Sequence, residues 1–550
     1  MNRVKRALGV LVAAALAGVL SACGTPAGSS GSDSFLRVGT TSLVDSLNPF
    51  VSDSDYSSVI YQYVYPHLTE YDADLEIVPA FASEWESSAD GTVWTFHTQP
   101  DATWSDGEPL TAEDAAFTMS MILEHREGPT GILAGWVAHL ESAVATDPTT
   151  LVLTYENPVG NVLTQMQALP ILPKHIWEPL ASGDGQQITS FENAAPVVAG
   201  GPFALDTYEK DQTMVFSRNE QWWGEAPKIT GFGFQFFAND DAMVTALKTG
   251  QVDMIGQQTP PTAVETLKQA GKEVLTGPSV TIKNLIINTN PDKPEHRELL
   301  NPEVRKAFEH AIDRDEIVEK TWLGFADPGS TVVTPASGFH NEAISGLPFD
   351  LDAANAILDG LGYAKGSDGI RVADGHKMDY ELVFPTEENG SGDRAFQTIQ
   401  RGLEDIGVRV VQRKMDPDAA WDAITAPENT YLDYDLAMWN WTPPVDPDFI
   451  LSAMTCGSFG HNSDSGYCNP EYDALYLKQG THLDPAERAA TIDQMQQILF
   501  DDRPYVVLTY PQVIEAHDPA WQGFVLSPLV GSINNLSTLT LREVHRTSAE

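Results

Sequence analysis

The sequence predicts a large mixed α/β protein whose domains are interleaved along the chain. It has 550 residues, of which 42% are hydrophobic and 9% aromatic, so it can bury several cores instead of remaining disordered. From about residue 200 onward, segments with helical and strand periodicity alternate, which is typical of α/β folds. No linker of domain-separating length follows residue 34, so we expect the chain to cross between its domains more than once.

The composition excludes several classes of function. The chain carries 77 acidic and 32 basic residues, a formal charge of −45. No run of Lys or Arg lies beyond the first six residues, so we expect no nucleic-acid partner. Three cysteines are too few for a small disulfide-rich scaffold. The sequence therefore describes a large acidic globular protein.

The N-terminus has the features of an export signal. Basic residues among the first six are followed by an uncharged apolar stretch, residues 8–20, which is too short to span a bilayer. It ends in Leu20-Ser21-Ala22-Cys23, which resembles a bacterial lipobox; a plain secretory signal cut near Ala22 is the alternative. We predict a lipoprotein signal peptide over residues 1–22, an acylated Cys23 and a flexible tether over 23–34. The protein is then expected at the extracytoplasmic face of the bacterial cell membrane, held by lipid alone.

Short elements follow in order through the first half of the chain. The segment Phe35–Thr40 is predicted as a strand, and residues 56–68 have apolar groups at helical spacing. Alternation predicts strands at 93–97 and 151–155, the first between two glycine-containing turns. Thr111 is suited to cap a helix whose first turn is acidic.

The second half has stronger helix signals. Residues 240–250 read as a helix that stops at Gly250, followed by a strand at 252–255. Asn301-Pro302-Glu303 begins an amphipathic helix that is predicted to continue through Val318. The last clear strand is expected over residues 506–510.

Motifs of known catalytic chemistry are missing from the sequence. It contains no HExxH zinc motif, no GxSxG nucleophile elbow, no GxxxxGK[ST] phosphate loop and no GxGxxG. A pair of catalytic carboxylates far apart in sequence, as in glycosidases, stays open. We predict that the protein is not an enzyme and has no catalytic residues, metal or cofactor, with a secreted hydrolase as the alternative from another class.

One segment has the composition of a small-ligand site. Residues 438–449 combine two tryptophans, an amide, a hydroxyl, carboxylates and three prolines, which predicts a stiff loop that presents its side chains. Aromatic walls with a few polar groups are typical of ligand pockets. We predict ligand contacts at Trp439, Asn440, Trp441 and Asp446, the last as an ammonium acceptor or a brace for the loop. The alternative is that the tryptophans belong to the core and the aspartates to a turn.

Cys456 and Cys468 are predicted to form a disulfide, because two nearby cysteines outside the cytoplasm usually oxidise. The alternative is a zinc site in which His461 and Asp464 complete four ligands, although neither CxxC nor HxxxH spacing is present.

Four blocks of sequence, in order after the lipobox, carry a family resemblance. They are residues 79–96 with 104–114, 200–203 with 218–224, 301–308 with 311–314, and 446–447 with 469–475. Together they resemble solute-binding protein family 5 of ABC transporters, the dipeptide- and oligopeptide-binding lipoproteins, over nearly the whole mature chain.

The resemblance implies the architecture. It is a type II, cluster C periplasmic-binding-protein-like fold with two α/β lobes, an extra α/β domain inserted in the first lobe and a two-strand hinge. Lobe one would comprise residues 35–60, 195–275 and 508–545, the extra domain 61–194, and lobe two 276–507. The chain would cross near residues 280–287 and 506–510. Asn48 and Phe50, in the first loop, are then candidate ligand contacts from lobe one.

The resemblance also implies a function, namely capture of di- or oligopeptides by a monomer that delivers them to membrane permease subunits. In dipeptide-type members a carboxylate just before the Asp-Pro binds the ligand's ammonium group, and a cystine follows, which Cys456 and Cys468 resemble. Pro443 stands where that carboxylate is expected, and Asp446 or Asp448 could replace it. A non-peptide solute, such as an oligosaccharide or a metal chelate, is the alternative within the same fold.

Overall fold

The computed structural model describes residues 34–52, 54–386, 391–425, 434–529 and 531–547. The predicted signal peptide, Cys23 and nearly all of the predicted tether lie outside these ranges. Within the described ranges, no helix is both long and apolar enough to cross a bilayer.

The strands are short and are numbered here in chain order. They are β1 Phe35–Thr40, β2 Thr69–Tyr71, β3 Ile77–Pro79, β4 Ala82–Ser87, β5 Val93–Thr98, β6 Leu140–Asp147, β7 Thr150–Tyr155, β8 Phe203–Glu209, β9 Thr213–Arg218, β10 Gly231–Phe236, β11 Met254–Ile255, β12 Glu273–Gly277, β13 Ile282–Ile287, β14 Ala326–Pro328, β15 Val372–Ala373, β16 His376–Lys377, β17 Asp379–Pro385, β18 Arg409–Met415, β19 Leu436–Trp441, β20 Tyr505–Pro511, β21 Val513–His517, β22 Trp521–Gln522 and β23 His545–Arg546.

The α-helices alternate with these strands. They are α1 Asp55–Val64, α2 Ala112–His125, α3 Val162–Ala168, α4 Lys174–Trp177, α5 Gln186–Ser190, α6 Asp240–Thr249, α7 Val264–Gln269, α8 Pro302–His310, α9 Arg314–Thr321, α10 Leu351–Gly360, α11 Ser391–Asp405, α12 Pro417–Thr425, α13 Asp448–Ser452, α14 Pro470–Thr481, α15 Pro485–Asp502 and α16 Leu539–Glu543. Short 3-10 helices lie at Gly131–Val137, Pro261–Ala263, Arg297–Leu300, Pro335–Ser337 and Cys456–Ser458.

Lobe one is built on a seven-stranded sheet in the order β12-β21-β11-β1-β10-β9-β8. β1 lies parallel to both β10 and β11, whereas β21 is antiparallel to β11 and β12. In β10, Phe232 and Phe234 are buried on one face, and Gly231 and Gly233 on the other leave room for the ring of Phe35. This alternation is the two-residue period of a strand.

The extra domain contributes a four-stranded antiparallel sheet in the order β4-β5-β7-β6, against which α2 packs. The predicted cap is present, because the Thr111 side chain accepts from the Glu113 amide and the Asp114 carboxylate accepts from the Thr111 amide.

Lobe two is built on a six-stranded sheet in the order β14-β20-β13-β19-β17-β18, with one apolar core on each face. β13 is antiparallel to β19 and β20, and β17 is parallel to β19 and β18. The predicted two-lobed fold with an added α/β domain and two crossings is confirmed.

The two crossings lie at the ends of strands. One is formed by residues 278–281 between β12 and β13, and the other by Gln512 between β20 and β21. The Ser279 hydroxyl donates to the Pro511 carbonyl oxygen and so joins the crossings. Residues 508–511, which were predicted in lobe one, pair with β13 and β14 in the lobe-two sheet. The strand predicted over residues 506–510 spans 505–511, and its last residues stay in the lobe-two sheet because their partners lie in β13 and β14, which no local pattern reports.

The long helix that was predicted from Asn301 through Val318 is two helices, α8 and α9. The break falls at Ala311–Asp313, where the Asp313 carboxylate accepts from the Glu316 amide and caps α9. A Cβ on Gly402 of α11 would lie 1.8 Å from the Ala311 carbonyl oxygen, so α11 packs directly on the backbone of the break. Both halves keep a buried apolar face, which is why the sequence read as one helix.

The lobes and the extra domain are in contact. Tyr71 of β2, Val280 of the first crossing, Val445 of lobe two and Leu536 form one buried apolar cluster. The Gly160 amide of the extra domain donates to the Gly480 carbonyl oxygen at the end of α14, at 2.8 Å.

Candidate functional site

The two sheets meet at the edges where the chain crosses between them. At this edge of the lobe-one sheet β1, β10, β11 and β12 end and β21 begins. At the facing edge of the lobe-two sheet β17, β19 and β20 end and β13 begins. Ligands of open α/β sheets bind outside the carboxyl ends of strands. We name the space between these edges the candidate cleft.

A small cavity lies on the lobe-two side of the candidate cleft. Its walls are mainly apolar, and the residues that carry the argument are Lys283, Asn284, Trp322, Met438, Trp439 and Thr509. Among the described residues that line it, none is Asp or Glu. The cavity therefore suits a group that is neutral or negatively charged more than a free ammonium group.

Three polar side chains around this cavity, Asn284, Thr321 and Thr509, are named here the cleft polar set. They are 1%, 3% and 0% exposed. Within the described part of the chain, the Asn284 amide nitrogen and oxygen and both threonine hydroxyls have no hydrogen-bond partner. Such a group costs on the order of 1–3 kcal/mol when buried. A bound molecule with a donor and an acceptor would remove that cost.

Lys283 and Asn440 face each other across the β13–β19 ladder at this end of the sheet. The Lys283 ammonium donates to the Asn440 amide oxygen at 3.0 Å and lies 6.0 Å from the centre of the Trp322 ring. Asn440, predicted as a hydrogen-bonding contact, is thus adjacent to the cavity with its oxygen bound to lysine.

Trp439 and Trp441 lie in β19 and not in a loop. The prediction of a loop over residues 438–449 was wrong for its first part, because the prolines begin at Pro443, beyond the end of the strand. Trp439 lines the cavity and packs on Trp421, with 5.5 Å between the ring centres. Trp441 lies behind it, half-buried, with its indole N–H directed to Asp464 and Tyr505.

Asp446 is a brace for the loop after β19. The Arg488 guanidinium donates to both Asp446 carboxylate oxygens, and the two side chains are 6% and 8% exposed. One of these oxygens also accepts from the Asp448 amide. Asp448 itself accepts from the Gln479 amide at 2.6 Å, and burial raises the pKa of Asp448. The other Asp448 oxygen accepts from the Tyr476 hydroxyl, so each oxygen of both aspartates already has a partner among the described residues.

Asn48 and Phe50 attach the first loop to the extra domain. The Asn48 amide donates to the carbonyl oxygens of Ile188 and Phe191, and its oxygen accepts from the Phe50 amide. Phe50 is 4% exposed and packs edge-to-face on Trp177. The structure does not bring either residue to the lobe-two cavity, since both are used in packing.

Sequence reasoning missed several residues of the cavity, among them Lys283, Asn284, Thr321, Trp322 and Thr509. A signal was present, because Lys283 and Asn284 interrupt the otherwise apolar run of β13. Trp322 and Thr509 reach the cavity only through tertiary packing, which no local pattern reports.

Cys456 and Cys468 form the predicted disulfide, with 4.4 Å between their Cα atoms. The zinc alternative does not fit, because the sulfurs are bonded to each other and the Asp464 carboxylate accepts from Trp441 and Tyr505. Among the described residues, no group of three or more His, Cys, Asp or Glu is placed to hold a metal ion.

Comparison with known families decides what kind of protein has this fold and this cleft. The family model "Bacterial extracellular solute-binding proteins, family 5 Middle" matches residues 76–462. The chain belongs to family 5 of the extracellular solute-binding proteins. The family consists of substrate-binding proteins that take up peptides or other small solutes and work with ABC permeases.

Relatives of this family 5 protein differ in what they are named for. Protein XP55 of Streptomyces lividans is 28% identical over 98% of this chain and 96% of its own length. The nickel-binding periplasmic protein of Escherichia coli K12 is 25% identical over 86% of this chain and 88% of its own. The solved periplasmic binding protein DppA of Helicobacter pylori, in complex with the peptide STSA, superposes with a TM-score of 0.75 at 22% identity, covering 94% of this chain and 98% of that one.

Proposed function

We propose that this family 5 protein captures a peptide or a similar small solute in the candidate cleft and delivers it to a membrane ABC permease. It would work from the outer face of the membrane, held by a lipid on Cys23. The two crossings, at residues 278–281 and Gln512, are short enough to act as a hinge about which the lobes open and close.

The cleft polar set is the observation that carries this proposal. The Asn284 side chain offers one donor group and one acceptor group, and the threonine hydroxyls offer both. A peptide group has the complementary pair, an N–H and a C=O. Apolar and aromatic walls beside such a set suit a peptide side chain or main-chain segment.

Recognition of a free peptide N-terminus has less support. Pro443 occupies the place expected for an ammonium-binding carboxylate, and Asp446 is paired with Arg488. This observation favours a second candidate, a solute without an ammonium anchor, such as an oligosaccharide or a chelated metal. One relative is named as nickel-binding, and a chelate would be held through its organic part, by hydrogen bonds and aromatic contacts.

Thermal unfolding with a panel of solutes tests the proposal. The panel is the tetrapeptide Ser-Thr-Ser-Ala, its N-acetylated form, a mixed longer peptide pool, a nickel–histidine complex and a maltose series. A solute at about 100 times its Kd should add about 2.7 kcal/mol of stability. We expect the tetrapeptide, its acetylated form or the pool to raise the Tm. If only the nickel complex or only the sugars raise the Tm, the solute belongs to that class and is not a peptide. If no member of the panel raises the Tm, the proposal is contradicted.

Asn284→Ala supplies the matched variant. It should abolish the rise in Tm, whereas Asn534→Ala in lobe one, whose amide is bonded within its own turn, should lower the Tm but keep the rise. Recovery of the solute unchanged after incubation supports a binding role, and its consumption would favour the secreted hydrolase. Cys23→Ala should move the protein from the membrane fraction to the soluble one.

A further inference from the structure

The segment between the two disulfide-bonded cysteines, residues 456–468, is named here the disulfide loop. It carries Asp464 into the interior of lobe two, where this residue is 0% exposed. The Tyr434 hydroxyl donates to the Asp464 carbonyl oxygen. The Thr289 amide donates to the Ser465 carbonyl oxygen at 2.8 Å and fixes the loop beside the end of β13.

Among the described residues, each oxygen of the Asp464 carboxylate has one partner. The Trp441 indole N–H donates to one oxygen at 3.0 Å, and the Tyr505 hydroxyl donates to the other. Burial raises the pKa of Asp464 to about 7. The groups that face it are phenols and an indole, and none of its partners among the described residues is a charged side chain.

An aromatic chain leads from this carboxylate to the cavity. Trp441 meets Trp421 of α12 edge-to-face, with 5.5 Å between ring centres. Trp421 lies against Trp439 at the same separation and a tilt of 34°. Trp439 lines the cavity of the candidate cleft. Because packed aromatic side chains hold few rotamers, the ring of Trp441 restricts the two beyond it.

Burying the Asp464 carboxyl group in the interior of lobe two lowers the stability of the protein. A carboxylate with two neutral donors and no cation is costly in the interior, and an apolar side chain would avoid that cost. What the protein gains from the buried carboxylate is that its hydrogen bond fixes the orientation of the Trp441 indole. An ionised acceptor holds an N–H more firmly than a neutral one.

We propose that Asp464 is a positioning residue for the aromatic wall of the candidate cleft. It orients Trp441, and through Trp421 it sets the place of Trp439 at the cavity, while the disulfide keeps the loop that carries it closed. This inference rests on the proposed function, since it takes the cavity as the place where the solute binds.

Indole N–H signals of the ¹⁵N-labelled protein test the proposal, with Trp439→Phe and Trp441→Phe used to assign the two residues. In Asp464→Asn we expect both signals to shift, and the Kd for Ser-Thr-Ser-Ala to rise about fivefold or more. In the wild type the Trp441 signal should change near pH 7 as the carboxyl titrates, and in Asp464→Asn it should not.

Tyr467→Phe is the matched control. Tyr467 lies in the same disulfide loop, and its hydroxyl donates to Asp502 and not to Trp441. It should leave both indole signals and the affinity unchanged. If Asp464→Asn does not fold, Trp441→Phe can be used instead, because it removes the donor of the same hydrogen bond. The Trp439 signal should then shift as well.

Three results would overturn the inference: unchanged indole signals in Asp464→Asn, a shift of Trp441 without one of Trp439, or an equal loss of affinity in Tyr467→Phe. Failure of the tetrapeptide to bind the wild type would count against the peptide as solute. In that case the indole signals of the unliganded protein still decide whether Asp464 sets the two rings.

Discussion

Arg488 of α15 holds Asp446 by two hydrogen bonds, of 2.6 and 2.7 Å, one to each carboxylate oxygen. The pair joins the loop after β19 to the 18-residue helix α15, and both side chains are nearly excluded from water. A buried two-point pair of this kind fixes geometry strongly and is costly to break from one side. The loop after β19 is therefore held in place by a stabilising pair.

Removal of one partner of this pair should destabilise the protein strongly. Asp446→Ala leaves the Arg488 cation buried, and we expect a loss of about 3–5 kcal/mol in the free energy of unfolding, measured by urea denaturation. The double variant Asp446→Leu with Arg488→Met removes both charges and should be close to the wild type. A double variant as unstable as Asp446→Ala would show that the charges are not the cause.

The pairing of Asp446 also predicts how the protein treats a peptide's N-terminus. Because the Asp446 oxygens are bound to Arg488, Ser-Thr-Ser-Ala and its N-acetylated form should bind with Kd values within about threefold, a difference below 1 kcal/mol. Isothermal titration calorimetry measures both. A loss of about tenfold or more on acetylation would assign an ammonium acceptor to the cleft and contradict the brace role.

Asn284→Leu should separate stability from binding. The leucine removes a buried amide that lacks a partner among the described residues, so the free energy of unfolding of the empty protein should rise by about 1–3 kcal/mol. The same change should abolish the increase in Tm that the solute produces. Lower stability of the empty protein would mean that the amide is hydrogen-bonded in solution.

Glu515 predicts a dependence of stability on pH. It is buried in β21, and burial raises its pKa from 4.5 to about 7, while its oxygens accept from the Ser532 amide and hydroxyl. A carboxyl whose pKa is higher in the folded state destabilises that state in its charged form. The penalty is absent below about pH 4.5, grows as the pH rises and is complete above about pH 7, where it reaches on the order of 3 kcal/mol.

Glu515→Gln removes this titration and can keep both hydrogen bonds, since its oxygen accepts from the amide and its nitrogen donates to the hydroxyl. The variant should therefore gain stability over the wild type at pH 8 and not at pH 4.5, as measured by urea denaturation at both values. A difference that is independent of pH would contradict the assignment. Glu225→Gln, at an exposed acid in the same lobe, is the control.

The disulfide should stabilise the folded protein by about the amount that its loop length predicts. Cys456→Ser with Cys468→Ser opens a loop whose ends are 12 residues apart, which corresponds to about 3 kcal/mol in the chain-entropy model. The unfolding transition in guanidinium chloride should move to lower denaturant, while the far-UV circular dichroism of the native state stays the same. An unchanged midpoint would show that packing alone holds the loop.

Most local elements could be predicted from sequence because their signals are local. The strand at Phe35–Thr40, the cap at Thr111 and the stop of α6 at Gly250 depend on residues within one turn or strand. The break between α8 and α9 was missed although its cap is local, because the apolar pattern continues across it while Asp313 accepts from the Glu316 amide and starts α9. The place of residues 508–511 in the lobe-two sheet likewise depends on their partners in β13 and β14, which are distant in sequence.

The candidate site divides in the same way. Of the segment 438–449, which was singled out by its composition, Met438 and Trp439 line the cavity. The role of Asp446 depended on Arg488, which lies in another helix, and that of Asn48 on carbonyl groups of the extra domain. Partners of this kind are set by the fold. The sequence alone therefore could not show whether a polar loop residue contacts the ligand or braces the loop.

The central claim is that a solute binds between the facing edges of the two sheets and contacts the cleft polar set. A crystal structure of the protein with the panel solute that raises its Tm tests this most directly. We expect the solute in the candidate cleft, touching both lobes, with a donor and an acceptor within hydrogen-bonding distance of the Asn284 amide. A solute bound to one lobe only, or outside the cleft with no contact to Asn284, would contradict the account.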